Sequence, residues 1–143
     1  MLAIAALTLA ALFSGAALYV LLAEHPARGR IEPKAQLVQW KSAYAHGAVM
    51  QASLAALSGL AGIAVWLRWS DPFFLAGGLA MLGAIAYTFA VMWRLNNRLK
   101  ATPPEAASAE TVTMLGRWGR LHAGRTLIGL AATALYAAGL YSG

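Results

Sequence analysis

The sequence predicts an all-α membrane protein, an antiparallel four-helix transmembrane bundle that forms one domain over residues 1–143. Three observations indicate this fold class. Four uncharged apolar runs cover residues 2–22, 43–67, 72–93 and 126–142. Hydrophobic residues make up 60% of the chain, which is far above the share in soluble domains. The basic residues cluster between these runs, as expected of loops that border a membrane.

The first two runs predict helix one at about residues 2–24 and helix two at about residues 36–68. At 1.5 Å per residue, each run is long enough to cross a hydrocarbon core of about 30 Å. We expect helix one to be retained rather than cleaved as a signal peptide, because no Lys or Arg precedes it and its apolar stretch is too long. Helix two begins before its uncharged run, because Gln36, Trp40 and Tyr44 continue the helical pattern.

Capping signals place the last two helices. Asp71 is a suitable N-cap and Pro72 follows at the first helical position, which predicts helix three at about residues 72–97. The Thr-Pro-Pro-Glu sequence at residues 102–105 reads as a capping box, which predicts helix four at about residues 105–142. Its first turns are too polar for lipid, so its membrane part is expected to begin near His122.

The basic residues predict the orientation. Of the eleven Lys and Arg residues, ten follow helix one or surround the connection between helices three and four, and only Arg68 lies between helices two and three. By the positive-inside rule, the two basic connections are cytoplasmic and both termini are non-cytoplasmic. The sequence therefore predicts a multi-pass protein of a bacterial-type inner membrane, surrounded by the lipid bilayer.

Composition limits the classes of site and partner. The chain has no cysteine, which removes disulfides, thiolate catalysis and Cys-ligated zinc or iron–sulfur sites. Its net charge of +6 would suit nucleic acid, but the charges follow the predicted topology, so no nucleic-acid partner is expected. Four short helices bury little area, which favours a homodimer.

Polar side chains gather at the predicted cytoplasmic ends of all four helices, where each is a functional candidate because such groups are costly in a membrane. Trp118, His122 and Arg125 share one face of helix four, at spacings of four and three residues. His46 lies about 200° from Tyr44 around helix two, so it is expected to face water or headgroups. The residues predicted to form a pocket are Glu24, His25, Tyr44, Gln51, Trp93, Asn97, Trp118, His122 and Arg125.

A set of short motifs runs along the chain. They are Glu24-His25-Pro26, Tyr44, Met50-Gln51, Asn97 with Leu99, and WGRLHAGRT at residues 118–126. In these motifs, over roughly residues 15–140, the chain resembles the anthrone oxygenase-like membrane proteins, a family largely of unknown function. The resemblance implies four membrane helices and, for some members, oxidation of anthrones to anthraquinones by dioxygen without flavin or haem. His46 is not part of the family pattern.

The leading interpretation is an oxygenase or oxidoreductase that acts on a flat, weakly acidic aromatic molecule, anthrone- or quinol-like. His122 is the predicted general base, and Arg125 together with the positive ends of helices two and four would stabilise the anion. Glu24 or Asn97 would orient the base or a water molecule, and His25 is a further catalytic candidate. No cofactor is required. The predicted substrate-binding residues are Tyr44, Gln51, Trp93 and Trp118.

Two alternatives stay open at this stage. In the first, His25, His122 and Glu24 hold iron, copper or zinc, or the two histidines hold a haem. In the second, the protein is a non-catalytic structural or partner subunit, and the polar cluster only connects the helices. The basic residues do not discriminate between these alternatives and the oxygenase interpretation, because they would also bind anionic lipid.

Overall fold

Four long helices account for nearly all of the structure. The computed structural model describes residues 1–142, and residue 143, the last of the predicted domain, lies outside them. We number the helices α1 (2–28), α2 (Pro33–Trp69), α3 (72–101) and α4 (Ala109–Ser142). All four are long and apolar enough to cross a membrane, so the chain is a multi-pass membrane protein. Each of α1 and α3 packs against both α2 and α4, which makes a four-helix bundle.

Two of the helices are interrupted by a π-helical segment, which the sequence analysis did not anticipate. In α1, the segment Val20–Glu24 joins the α-helical parts Leu2–Tyr19 and His25–Arg28. In α3, the segment Thr88–Met92 joins Pro72–Tyr87 and Trp93–Ala101. A π segment changes the direction in which the following residues point, and such segments are frequent at functional sites.

The helix ends show which of the predicted capping residues cap a helix in the structure. Asp71 caps α3 as predicted, because its carboxylate accepts a hydrogen bond from the Phe73 backbone N–H at 2.8 Å. Thr102 does not begin α4; its hydroxyl donates to the Arg98 carbonyl at 2.9 Å and closes α3. Residues Pro104–Ala106 form a separate 3-10 turn. The helix α4 begins at Ala109, four residues after the predicted start, where the Ser108 N–H donates to the Thr111 hydroxyl at 3.1 Å.

The buried core has two parts, at different levels of the bundle. The Tyr136 cluster consists of Ala6, Ala10, Phe13, Ala55, Val65, Phe74, Met81, Ala84, Ala132 and Tyr136. The Trp118 cluster consists of Leu37, Trp40, Met92, Leu95, Leu99, Met114, Leu115 and Trp118. The first cluster is rich in alanine, whereas the second is built from larger side chains.

Tyr136 is the centre of the first cluster because two glycines leave room for its ring. A Cβ atom at Gly62 would lie 2.2 Å from the Tyr136 hydroxyl, and one at Gly77 would lie 2.6 Å from the ring. The hydroxyl donates to the Ser58 carbonyl at 2.9 Å, and the Ser58 hydroxyl donates to the Ala6 carbonyl at 2.9 Å. Close approach through small residues, together with hydrogen bonds between helices, is the usual way in which membrane helices associate.

Candidate active site

A cavity of about 300 Å³ lies between α1, α2 and α4. This volume is at the lower end of the range of about 300–1,000 Å³ that small-molecule pockets span. We call it the first cavity. Six of the nine residues predicted to form a pocket line it, and they come from three different helices. These are Glu24, Tyr44, Gln51, Trp118, His122 and Arg125.

The α4 residues form one continuous face, as their spacing predicts. Trp118 and His122 are stacked, with ring centroids 5.0 Å apart and an angle of 11° between the planes. Trp40 of α2 meets the edge of Trp118 at 5.9 Å and stacks on Tyr44 at 4.8 Å. The first cavity is therefore bordered by aromatic rings from two helices, which suits a flat apolar ligand.

His122 is held in one orientation by the backbone of α1. The side chain is 1% exposed, and its Nε2 atom lies 3.1 Å from the Ala17 carbonyl oxygen. Because a carbonyl only accepts hydrogen bonds, Nε2 carries the hydrogen and the Nδ1 atom of the neutral ring carries the lone pair. Within residues 1–142, Nδ1 is buried and has no hydrogen-bond partner. His122 therefore lines the cavity and keeps a proton acceptor that no other group in residues 1–142 uses.

Arg125 places a positive charge one turn further along α4. Its guanidinium donates to Gln51 Oε1, lies 3.4 Å from the Thr88 hydroxyl, and sits 5.8 Å above the Phe13 ring. Its Nε atom is buried and lacks an acceptor in the part of the chain that the structure describes. The Arg125 side chain thus links three other helices, and one of its N–H groups has no acceptor within residues 1–142.

The sequence analysis did not identify Arg28, at the end of α1, as a buried charged group. Arg28 is 3% exposed, lines the first cavity, and donates to both Glu24 Oε1 and Gln39 Oε1. Gln39 also donates to Glu24 at 3.3 Å. The spacing of Glu24 and Arg28 by four residues on one helix is a signal that would have found this pair.

His25 does not line the first cavity, although it lies close to it. Its ring packs on Gly119, where a Cβ atom would come within 2.3 Å of His25 Nε2, and its centroid is 6.2 Å from that of Trp118. Its Nδ1 atom lies 3.5 Å from the Arg28 guanidinium. His25 therefore supports the α1–α4 contact behind the Trp118 ring.

The structure places two further predicted residues away from the first cavity. Asn97 lines neither this cavity nor the smaller one described below, because the neighbouring Asn96 takes the buried position and accepts a hydrogen bond from Trp118 Nε1 at 3.0 Å. Trp93 is 46% exposed and lines the smaller cavity. His46 is exposed, as expected, and bonds to the Ser42 carbonyl at 3.0 Å.

The smaller cavity, of about 130 Å³, lies between α2, α3 and α4. We call it the second cavity. It shares Tyr44, Ala48, Gln51 and Arg125 with the first cavity, and its other walls come mainly from α3 and from a different face of α2. The hydrogen bond between Gln51 and Arg125 therefore lies at the boundary between the two spaces.

The residues required by the metal alternative do not form a compact set. Across residues 1–142, no three His, Cys, Asp or Glu side chains are grouped closely enough to hold a metal ion, and this includes Glu24, His25 and His122. A structural or catalytic metal site normally uses at least three protein ligands.

A comparison with protein families identifies the chain. A family model described as anthrone oxygenase matches residues 40–135, which is more than half of the chain. This range contains Tyr44, Gln51, Trp118, His122 and Arg125, whereas Glu24 lies outside it. The chain matches no curated protein and no solved structure. The family match and the arrangement of the bundle together show that this chain belongs to the anthrone oxygenase family.

Proposed function

We propose that this protein is a membrane-embedded oxygenase that oxidises a flat, weakly acidic aromatic molecule of the anthrone or quinol type with dioxygen in the first cavity. One observation carries the proposal: His122 lines a cavity bordered by aromatic rings and Arg125, and its buried Nδ1 atom has no hydrogen-bond partner among the residues that the structure describes. The family model supports the reaction class.

The first step is removal of a proton from the substrate. An anthrone carries an acidic CH₂ group opposite its ketone, and His122 Nδ1 accepts one of these protons. The carbanion that forms delocalises its charge onto the ketone oxygen, which becomes an enolate. Arg125 and its unpaired Nε–H stabilise that charge. A positioned general base contributes about 10² to 10⁴ in rate.

The second step is oxidation by dioxygen. The carbanion forms a carbon–oxygen bond with dioxygen, and the proton held by His122 passes to the terminal peroxide oxygen. Loss of water from this hydroperoxide converts the former CH₂ carbon into a carbonyl. An anthrone and dioxygen therefore yield an anthraquinone and one water molecule. Dioxygen accepts all four electrons, so this scheme requires no resident cofactor.

The other residues of the first cavity bind the substrate or hold the side chains that contact it. Trp118 and Tyr44 offer ring faces on which a flat substrate stacks. Gln51 holds the Arg125 guanidinium. Glu24 is paired with Arg28, so its carboxylate is occupied rather than free to act as a second base. We assign Glu24 and Arg28 to the positioning of the α1 end of the cavity.

We further propose that the bundle is antiparallel, with both termini non-cytoplasmic and the first cavity in the cytoplasmic half of a bacterial inner membrane. The charge distribution supports this orientation, because Arg28, Arg98 and Lys100 lie at the helix ends nearest the Trp118 cluster. A substrate dissolved in the bilayer would then reach the cavity from its side, where Tyr19 and Met50 line it and are exposed.

Replacing the base tests this function. His122→Ala should lower kcat for anthrone by about 10² to 10⁴, because the proton acceptor is lost. The measurement is oxygen consumption together with quinone absorbance in detergent micelles, after subtraction of the spontaneous oxidation of anthrone. The matched control is His46→Ala, which removes an exposed histidine that lines neither cavity. Equal rates for the two variants would show that His122 is not the base.

A further inference from the structure

The second cavity differs from the first in size and in the character of its walls. Its volume of about 130 Å³ is less than half that of the first cavity, at about 300 Å³. Phe13, Ala55, Ala84 and Ile85 line it, and none of them lines the first cavity. A tricyclic aromatic molecule needs a pocket at least as large as the first cavity. The second cavity therefore suits a smaller ligand, and alanine, isoleucine and phenylalanine side chains make up most of its lining.

A cavity of similar volume in another protein shows which molecules fit a space of about this size. An apolar cavity of about 150 Å³ stays free of water and binds benzene or xenon. The second cavity is not wholly apolar: the only hydrogen-bonding side chains that line it in residues 1–142 are Tyr44, Gln51, Thr88, Trp93 and Arg125. Of these, Gln51 and Thr88 already bond Arg125.

The position of the second cavity connects it to both the bilayer and the reaction site. Phe89 and Trp93 line it while being 59% and 46% exposed on the membrane-facing surface, so the cavity borders the lipid. An apolar gas is more soluble in hydrocarbon than in water, because it has no polar group to hydrate. On the inner side, Gln51 and Arg125 separate it from the first cavity.

We propose that the second cavity is a dioxygen site, which takes dioxygen from the lipid and supplies it to the first cavity past the Gln51 and Arg125 side chains. This inference rests on the proposed function, which requires dioxygen next to the carbanion. Arg125 lines both spaces, and its Nε–H has no acceptor among the described residues 1–142. Negative charge that develops on dioxygen as it accepts electrons is stabilised by this cation.

Two substitutions on the same helix test the roles of the two cavities separately. Ala52 lines only the second cavity and Ala43 lines only the first, and the two residues are nine positions apart on α2. Ala52→Phe should raise the KM for dioxygen by about tenfold while kcat at saturating dioxygen is unchanged. Ala43→Phe should instead raise the KM for the aromatic substrate. The phenyl ring introduced by Ala52→Phe could point into the lipid instead of the cavity. Ala55→Val is therefore included as a second variant, because it fills the second cavity from a buried position.

Xenon binding tests the site without turnover. Xenon-pressurised crystals of the unaltered protein should show xenon in the second cavity, and crystals of Ala52→Phe or Ala55→Val should show it lost or strongly reduced. Xenon in the first cavity alone, or a lipid acyl chain in the second, overturns the dioxygen site. An unchanged KM for dioxygen in both filled variants overturns it as well. Failure of the unaltered protein to oxidise anthrone refutes the proposed function only, because xenon binding does not depend on that reaction.

Discussion

The two ends of the bundle satisfy their buried polar groups differently. Around the Tyr136 cluster, Ser58 and Tyr136 donate to backbone carbonyls, and the Ser14 and Thr133 hydroxyls pair at 3.0 Å. Four buried side-chain atoms in residues 1–142 have no partner, and none belongs to these residues. They are Trp40 Nε1, Asn96 Nδ2, His122 Nδ1 and Arg125 Nε.

This difference separates a part of the protein that holds the helices together from the part that contains the two cavities. An unpaired buried polar atom costs about 1–3 kcal/mol. Both π segments also lie beside the cavities, since Val20 and Glu24 line the first cavity and Thr88 lines the second. The irregular helices and the unpaired atoms therefore occur together, in the part of the bundle that contains the cavities.

The largest expected change in stability is at the Tyr136 cluster. Tyr136→Ala should lower the free energy of unfolding by about 3–5 kcal/mol, because a fully buried aromatic side chain is lost. Unfolding in mixed detergent micelles, followed by tryptophan fluorescence, measures this change. Tyr141→Ala is the control, since Tyr141 is 95% exposed. The specific activity of the folded fraction should stay unchanged; a fall in it would mean that the two ends are coupled.

A smaller loss is expected when the buried ion pair of α1 is broken. Glu24→Ala leaves the Arg28 guanidinium buried without its carboxylate, which should cost about 3 kcal/mol. Glu110→Ala removes the partner of Arg98 from a pair in which both side chains are about two-thirds exposed, and should cost less than about 1 kcal/mol. Equal losses in the two variants would show that Arg28 is solvated in the membrane protein. Glu24→Ala combined with Arg28→Met should recover part of the stability.

The smallest expected changes in the free energy of unfolding come from removing one hydrogen bond at each end of the bundle. Trp118→Phe removes the donor to Asn96 Oδ1, whose amide nitrogen is already unpaired, and should cost about 2 kcal/mol. Tyr136→Phe removes a hydroxyl that bonds a helix carbonyl and should cost about 0.6 kcal/mol. The same unfolding measurement ranks them. A larger loss for Tyr136→Phe would contradict the expected difference between the two ends.

Side-chain spacing within one helix predicted which α4 residues share a face, whereas the direction of the residues after a helix interruption could not be read from spacing. Trp118, His122 and Arg125 line one cavity because α4 is regular over these residues. Asn97 was predicted from its place at the end of helix three and in the family motifs, whereas the structure buries its neighbour Asn96 just after the π segment. Arg28 was counted as a topology signal, although its side chain is buried against Glu24 and Gln39.

The number of spans and their approximate limits follow from composition, because a chain in lipid must satisfy its backbone hydrogen bonds within each apolar helix. Which polar side chains meet is decided by how the helices rotate against one another. Successive residues differ by 100° around a helix, so a single π turn exchanges a buried residue for its exposed neighbour. Packing alone brings the Ala17 carbonyl of α1 to His122 of α4, and this contact leaves Nδ1 as the ring atom without a partner in residues 1–142.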